Sequence, residues 1–107
     1  MNLPEIIQNF VDSQNRHDSA LFAANFSNEA VVYDEGEMRT GREEIRQWNE
    51  KNSERYNTQM SPLELLDLND EKVVIVMNIS GTFQGSPIHL KFNFKIDNGL
   101  ITSLNIG

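Results

Sequence analysis

The sequence predicts an α+β domain in which N-terminal helices pack on a strongly curved, mostly antiparallel sheet. Three observations carry this. Ile6, Ile7, Phe10 and Val11 recur at the spacing of a one-sided helix near the start of the chain. Near its end the period changes to two: Ile88, Leu90, Phe92, Phe94 and Ile96 alternate with His89, Lys91, Asn93 and Lys95. Asn98-Gly99 then gives the signal of a tight hairpin. Helices first and strands afterwards put the helices on one face of the sheet. A sheet folded over helices makes a cone, and a cone tends to leave a hole.

The elements follow in order. The first helix is placed at Pro4–Arg16, with Pro4 tolerated in the first turn and Asn2 available as a cap. His17-Asp18 interrupts it, and Asp18 or Ser19 can cap a short second helix carrying Leu21, Phe22 and Phe26. Ser27-Asn28 reads as a turn and Glu29–Asp34 as a first strand, followed by the acidic turn Glu35-Gly36-Glu37. Thr40-Gly41-Arg42-Glu43 has the form of a capping box, so a helix starts near Gly41 and runs to Tyr56. Its apolar face is thin (Ile45, Trp48 and Tyr56), and Asn49 and Asn52 share the stripe. Met60–Asn69 is a strand with Leu63, Leu65 and Leu68 apolar, and Pro62 marks it as an edge. Val73–Phe83 is nearly continuous in Val, Ile and Met, as a strand covered on both faces would be. Gly81, Gly85 and Pro87 bracket a turn before Ile88–Ile96, and Leu100–Ile106 closes the chain.

At 107 residues the chain is expected to form a single domain, residues 1–107. The net charge is −7, with 6 basic and 11 acidic residues up to Gln59 and 3 basic and 5 acidic residues after it. Neither half is basic, which argues against nucleic acid and anionic membrane as partners. There is no Cys, hence no disulfide framework and no thiolate chemistry. No apolar run is long enough for a signal peptide or membrane span, and a cytoplasmic protein is expected.

Four stretches resemble the nuclear-transport-factor-2-like superfamily, in particular its SnoaL-like branch. They are Leu21–Asp34 (LFAANFSNEAVVYD), Arg39–Ile45 (RTGREEI), Gly81-Thr82-Phe83 leading to Gly85–Ile88, and Phe92–Ile106 (FNFKIDNGLITSLNI). They cover nearly the whole chain, in order. The resemblance implies a cone-shaped α+β barrel, usually dimeric, with an apolar pocket between sheet and helices. It does not imply one reaction, because the fold hosts isomerases, cyclases, dehydratases, hydrolases and non-enzymatic binding domains.

Asp34, at the end of an apolar strand, is either the mouth of a pocket or the start of a turn. In the ketosteroid isomerases, which share this fold, a proton-shuttling aspartate ends the corresponding strand, and Asp34 falls on it. Such a base works with a Tyr and a protonated Asp as oxyanion donors. Those places line up with Phe10 and, near the late hairpin, Phe92, so both donors are missing and steroid isomerisation is not expected. SnoaL-type cyclases use an acid projecting from the late strands, yet the face Ile88–Ile96 offers none. Epoxide-hydrolysing relatives need an Arg between two carboxylates, and no Arg follows Arg55.

Trp48, Tyr56, Tyr33 and Phe10 could line a pocket for a planar apolar ligand or simply pack as core. Asn78 interrupts Val73–Ile79, and a buried amide needs partners or a pocket. His89 falls on the face opposite the apolar one, so surface or interface suits it better than catalysis. His17, beside Asp18, could pair with a carboxylate at the rim or serve the helix end. Asp34-Glu35-Gly36-Glu37 lacks the spaced ligands of a calcium loop; no metal site and no cofactor are expected. Two readings stay open. One is a small-molecule-binding protein, an isomerase- or cyclase-type enzyme using proton transfer, with Asp34 as base, Trp48 as a wall, and Phe10, Tyr33, Tyr56, Asn78 and Phe92 around the ligand. The other is a non-catalytic binding or dimerisation module whose pocket is filled by its own side chains. A homodimer through the outer sheet face, including Val74 and Val76, is expected in either case.

Overall fold

The computed structural model describes residues 1–107. Helices α1 (Glu5–Asn15), α2 (Ser19–Ala24) and α3 (Arg42–Tyr56) accompany strands β1 (Phe26–Asp34), β2 (Glu37–Thr40), β3 (Gln59–Leu68), β4 (Lys72–Ser80), β5 (Ile88–Asp97) and β6 (Leu100–Ile106). The six strands form one sheet in the order β2-β1-β6-β5-β4-β3. Every pairing is antiparallel except β1 with β6. Register shifts interrupt β1, β3 and β6. Such bulges bend a strand and raise its twist, which curves this sheet around the helices.

Local chemistry explains each boundary. The N-cap of α1 is Pro4, whose carbonyl accepts from the N–H of Ile7 and Gln8, with no side-chain cap from Asn2. Asp18 caps α2 by accepting from the Leu21 N–H at 3.0 Å. The expected capping box at Thr40 is corrected: Thr40 belongs to β2, and Gly41, at φ +86°, is the N-cap of α3 without a side-chain bond. Glu44, not Glu43, reaches back to the Thr40 N–H at 3.0 Å, while Glu43 pairs with Arg46 at 2.7 Å.

Further expectations are corrected. Ser27-Asn28 is not a turn but part of β1, where Phe26 is fully buried and pairs with Ile101 across a bulge. The acidic turn is the two-residue loop Glu35-Gly36 of a hairpin that adds β2, with Asp34 opposite Glu37. β4 stops at Ser80, because Gly81 brings the chain against α3 and the Thr82 N–H donates to the Tyr56 carbonyl at 2.7 Å. On β3 Leu65 and Met60 pack against the core, and Leu63 and Leu68 are exposed, since two register shifts break the parity of this edge strand.

The core fills the closed end of the cone. Phe10 of α1 lies 4.9 Å from Phe22, 5.0 Å from Phe94 and 6.2 Å from Phe92 between ring centroids. Ile7, Ile45, Ile75, Met77, Ile101 and Leu104 complete this centre, all fully buried. On β5, Phe92 and Phe94 face inward while His89, Lys91 and Lys95 are exposed on the outer face. No helix is long and apolar enough to cross a membrane.

Candidate active site

The aromatic cluster closes one end of the cone and leaves the other hollow. A cavity of about 710 Å³ opens there, lined by 23 residues of which 11 are hydrophobic. That volume suits a small organic ligand, and the mixed lining suits one that is neither wholly apolar nor ionic. A second hollow beside the α1–α2 junction has a single hydrophobic residue among nine. It offers no apolar wall.

Phe10 and Phe92 form part of the floor. Trp48 of α3 forms a wall, leaning on Phe22 at 6.2 Å, and the Arg39 guanidinium sits over its ring at 5.4 Å. Near the C-terminus of α3, Tyr56 meets Phe83 edge-on at 5.9 Å. The loop carrying Phe83 is held there by the Thr82–Tyr56 hydrogen bond. These contacts fix the apolar walls on rigid elements.

Asp34 stands at the last position of β1, half-buried, and lines the cavity. Side chains two apart in a strand share a face, so Asp34 points the same way as the fully buried Val32. Its carboxyl is raised above the ordinary 3.8, chiefly because burial strips water from the charged form. The negative charge of Glu35 adds to this, and Arg39 opposes it. Arg39 also donates to the Asp34 backbone carbonyl at 3.2 Å and to Glu37 at 3.0 Å. The result is a carboxylate with a cation beside it and an aromatic wall next to the cation.

Of the residues singled out in the sequence, Phe10, Asp34, Trp48, Tyr56 and Phe92 converge on this cavity. Tyr33 does not: it neighbours Asp34 in the strand, so it faces the opposite side and is 46% exposed. Asn78 does not either, because Met77 and Ile79 take the inward positions of β4 and Asn78 lies outward, opposite His89. His17 contacts the Thr58 carbonyl through Nε2 at 2.8 Å, and no carboxylate pairs with it. No three His, Asp or Glu side chains come together as a metal site.

Arg39 and Gln14 are among the lining residues that escaped the sequence reading. Arg39 pairs with Val32 in the β1–β2 hairpin and so shares the face of Asp34. The signal was there in Glu35-Gly36, both left-handed (φ 54° and 76°), as a two-residue loop requires. Gln14 is 4% exposed, lines the cavity, and is tied to Thr58 at 2.7 Å. Nothing local marks it, because its partner lies 44 residues away.

No family model matches the chain, and no curated protein matches it significantly. Solved structures do. A protein of Sinorhizobium meliloti, provisionally assigned as a polyketide cyclase, is 30% identical with a TM-score of 0.92, over 98% of this chain and 95% of its own. A protein of ketosteroid isomerase-like fold from Catenulispora acidiphila, solved with trimethylamine, is 18% identical with a TM-score of 0.87, over 99% and 86%. The epoxide hydrolase/cyclase-like enzyme SalBIII, which takes part in pyran ring formation in salinomycin, is 20% identical with a TM-score of 0.83, over 95% and 86%. Near-complete coverage at 30% identity, on the same α+β cone, places the chain in a family: it belongs to the SnoaL-like branch of the nuclear-transport-factor-2-like superfamily.

Proposed function

We propose that the cavity binds a small, largely apolar molecule and that Asp34 moves a proton on it, as in a cofactor-independent isomerase or cyclase. One observation carries the reading: a half-buried carboxylate with a raised pKa opens onto an aromatic-walled hollow. The step is a proton abstraction next to a carbonyl. The C–H bond breaks, its proton passes to the Asp34 carboxylate, and the electron pair moves onto the carbonyl oxygen as an enolate. Return of that proton at another carbon gives isomerisation; attack of the enolate carbon on a second carbonyl closes a ring, and Asp34 then gives its proton to the new alkoxide oxygen. Arg39 supplies positive charge beside Asp34, which suits a developing oxyanion. The similarity to cyclase-like and isomerase-like proteins is consistent with this chemistry.

The second reading, a binding module without catalysis, is favoured by Phe10 and Phe92, which stand where an isomerase carries its polar donors. A test separates the two. 2-Tetralone, an apolar bicyclic ketone with acidic α-hydrogens, is incubated with the protein in D₂O and followed by NMR. Enzyme-dependent deuterium incorporation that Asp34→Asn abolishes is the expected outcome. Binding of 2-tetralone at Trp48 without added exchange supports the module instead.

We also propose a homodimer through the outer sheet face, where Val76 is half-buried and Asn93 and Asn105 face each other between β5 and β6.

A further inference from the structure

We infer that Gln14 and Thr58 form an anchor for a neutral hydroxyl group, at the edge of the cavity remote from Asp34. This rests on the reading of the cavity as a small-molecule site and adds what the molecule must carry. A primary amide has two N–H donors and one carbonyl acceptor. Both donors of Gln14 are used: Nε2 donates to the Thr58 hydroxyl at 2.7 Å and to the Thr58 carbonyl at 3.3 Å. A carbonyl oxygen only accepts, so the amide nitrogen must face Thr58 and Oε1 must face away.

No protein group donates to that Oε1. It is not sealed off either, since the one sealed and unpartnered side-chain polar atom in the protein is Ser53 Oγ. Gln14 is 96% buried and lines the cavity, so the free acceptor opens there. The Thr58 hydroxyl accepts from Gln14, and its own hydrogen donates to nothing in the protein. Thr58 lines the same cavity. Two residues in direct contact therefore offer the cavity one free acceptor and one free donor. An alcohol or phenol satisfies both at once, donating to Gln14 Oε1 and accepting from Thr58. An anion would face the negative end of the Gln14 carbonyl, and a ketone or ether would leave Oε1 buried without a donor.

The sheet order places the two ends of the ligand at different edges of the sheet. Asp34 lies on the β1–β2 hairpin at one edge, and Thr58 immediately precedes β3, the opposite edge. The ligand is thus an apolar ring skeleton whose hydroxyl lies across the ring system from the carbon that Asp34 approaches.

The test compares 2-naphthol with its methyl ether, 2-methoxynaphthalene, read by the indole N–H resonance of Trp48, the single tryptophan, in ¹⁵N-labelled protein. The wild-type chain is expected to bind 2-naphthol about tenfold more tightly than the ether. Gln14→Met, which keeps length and loses the acceptor, should lower naphthol affinity to that of the ether and leave ether affinity unchanged. Thr58→Val should lower the preference in the same sense, and Thr58→Ser should keep it. Equal binding of the two compounds by the wild-type chain overturns the anchor while the cavity reading stands, and this arm decides even if Gln14→Met fails to fold. Binding of neither compound at Trp48 overturns both.

Discussion

Asp34 illustrates how strand geometry gives a carboxylate a role that its neighbours do not share. Val32 and Asp34 point into the cone, Tyr33 points out, and the hairpin brings Arg39 onto the inner side. Its pKa is raised in the folded chain, so the protonated form is the one that folding favours. The group therefore holds the fold most firmly below the unfolded value of 3.8 and loses that contribution as pH rises through the higher folded value. Asp34→Asn, which removes the charge, should accordingly raise the melting temperature at pH 7. The advantage should vanish below about pH 3.8, as thermal scans across pH would show. An unchanged melting temperature at pH 7 would mean that the carboxylate is fully hydrated. Asp34 was legible because an acid ended an apolar run. Tyr33 and Asn78 were misplaced because an aromatic ring and an amide within apolar runs were read as facing a pocket, although adjacent strand residues face opposite ways.

At the level of elements, the cavity depends on two attachments that hold its mouth. The β1–β2 hairpin presents Arg39 to Trp48, and the loop after β4 is fastened to the C-terminus of α3. Gly81 sits at the second attachment, where a Cβ would come within 2.5 Å of the Tyr56 carbonyl oxygen. Gly81→Ala should therefore push the loop from α3 and cost about 1–3 kcal/mol, measured by urea unfolding. A neutral result would show that the attachment yields freely. The cap of α2 is a smaller matter: losing the Asp18 side chain in Asp18→Ala should cost about 1 kcal/mol in the same assay. Helix positions and β6 were legible in the sequence, from periodicity, the Asp18 cap and the Asn98-Gly99 loop. β2 was not, since three of its four residues, Glu37, Met38 and Thr40, are exposed and the strand shows no apolar alternation.

For the whole molecule, the cone is divided between a packed end and a hollow end. Phe10 and Phe92 belong to the packed end, where Phe10 touches four other rings. Phe10→Ala should cost about 3–5 kcal/mol, because the surrounding rings cannot collapse fully into the space. The outer sheet face bears the proposed dimer. Light scattering at micromolar concentration should give twice the 12.3 kDa of the chain, and a monomer mass would reject that assembly. The sequence order of helices and strands was enough to foresee a cone. Where the cone is filled and where it is hollow was not legible, because that depends on contacts such as Gln14 with Thr58 and Phe22 with Trp48 that join distant segments.

The central claim is that the Asp34 carboxylate opens onto a ligand-holding cavity. It is tested most directly by a ¹³C NMR pH titration of that carboxyl, without and with saturating 2-tetralone. The account predicts a midpoint above 3.8 that moves higher when the cavity is filled, since the ligand displaces more water from the charge. A midpoint at or below 3.8 that the ligand leaves unmoved would contradict it.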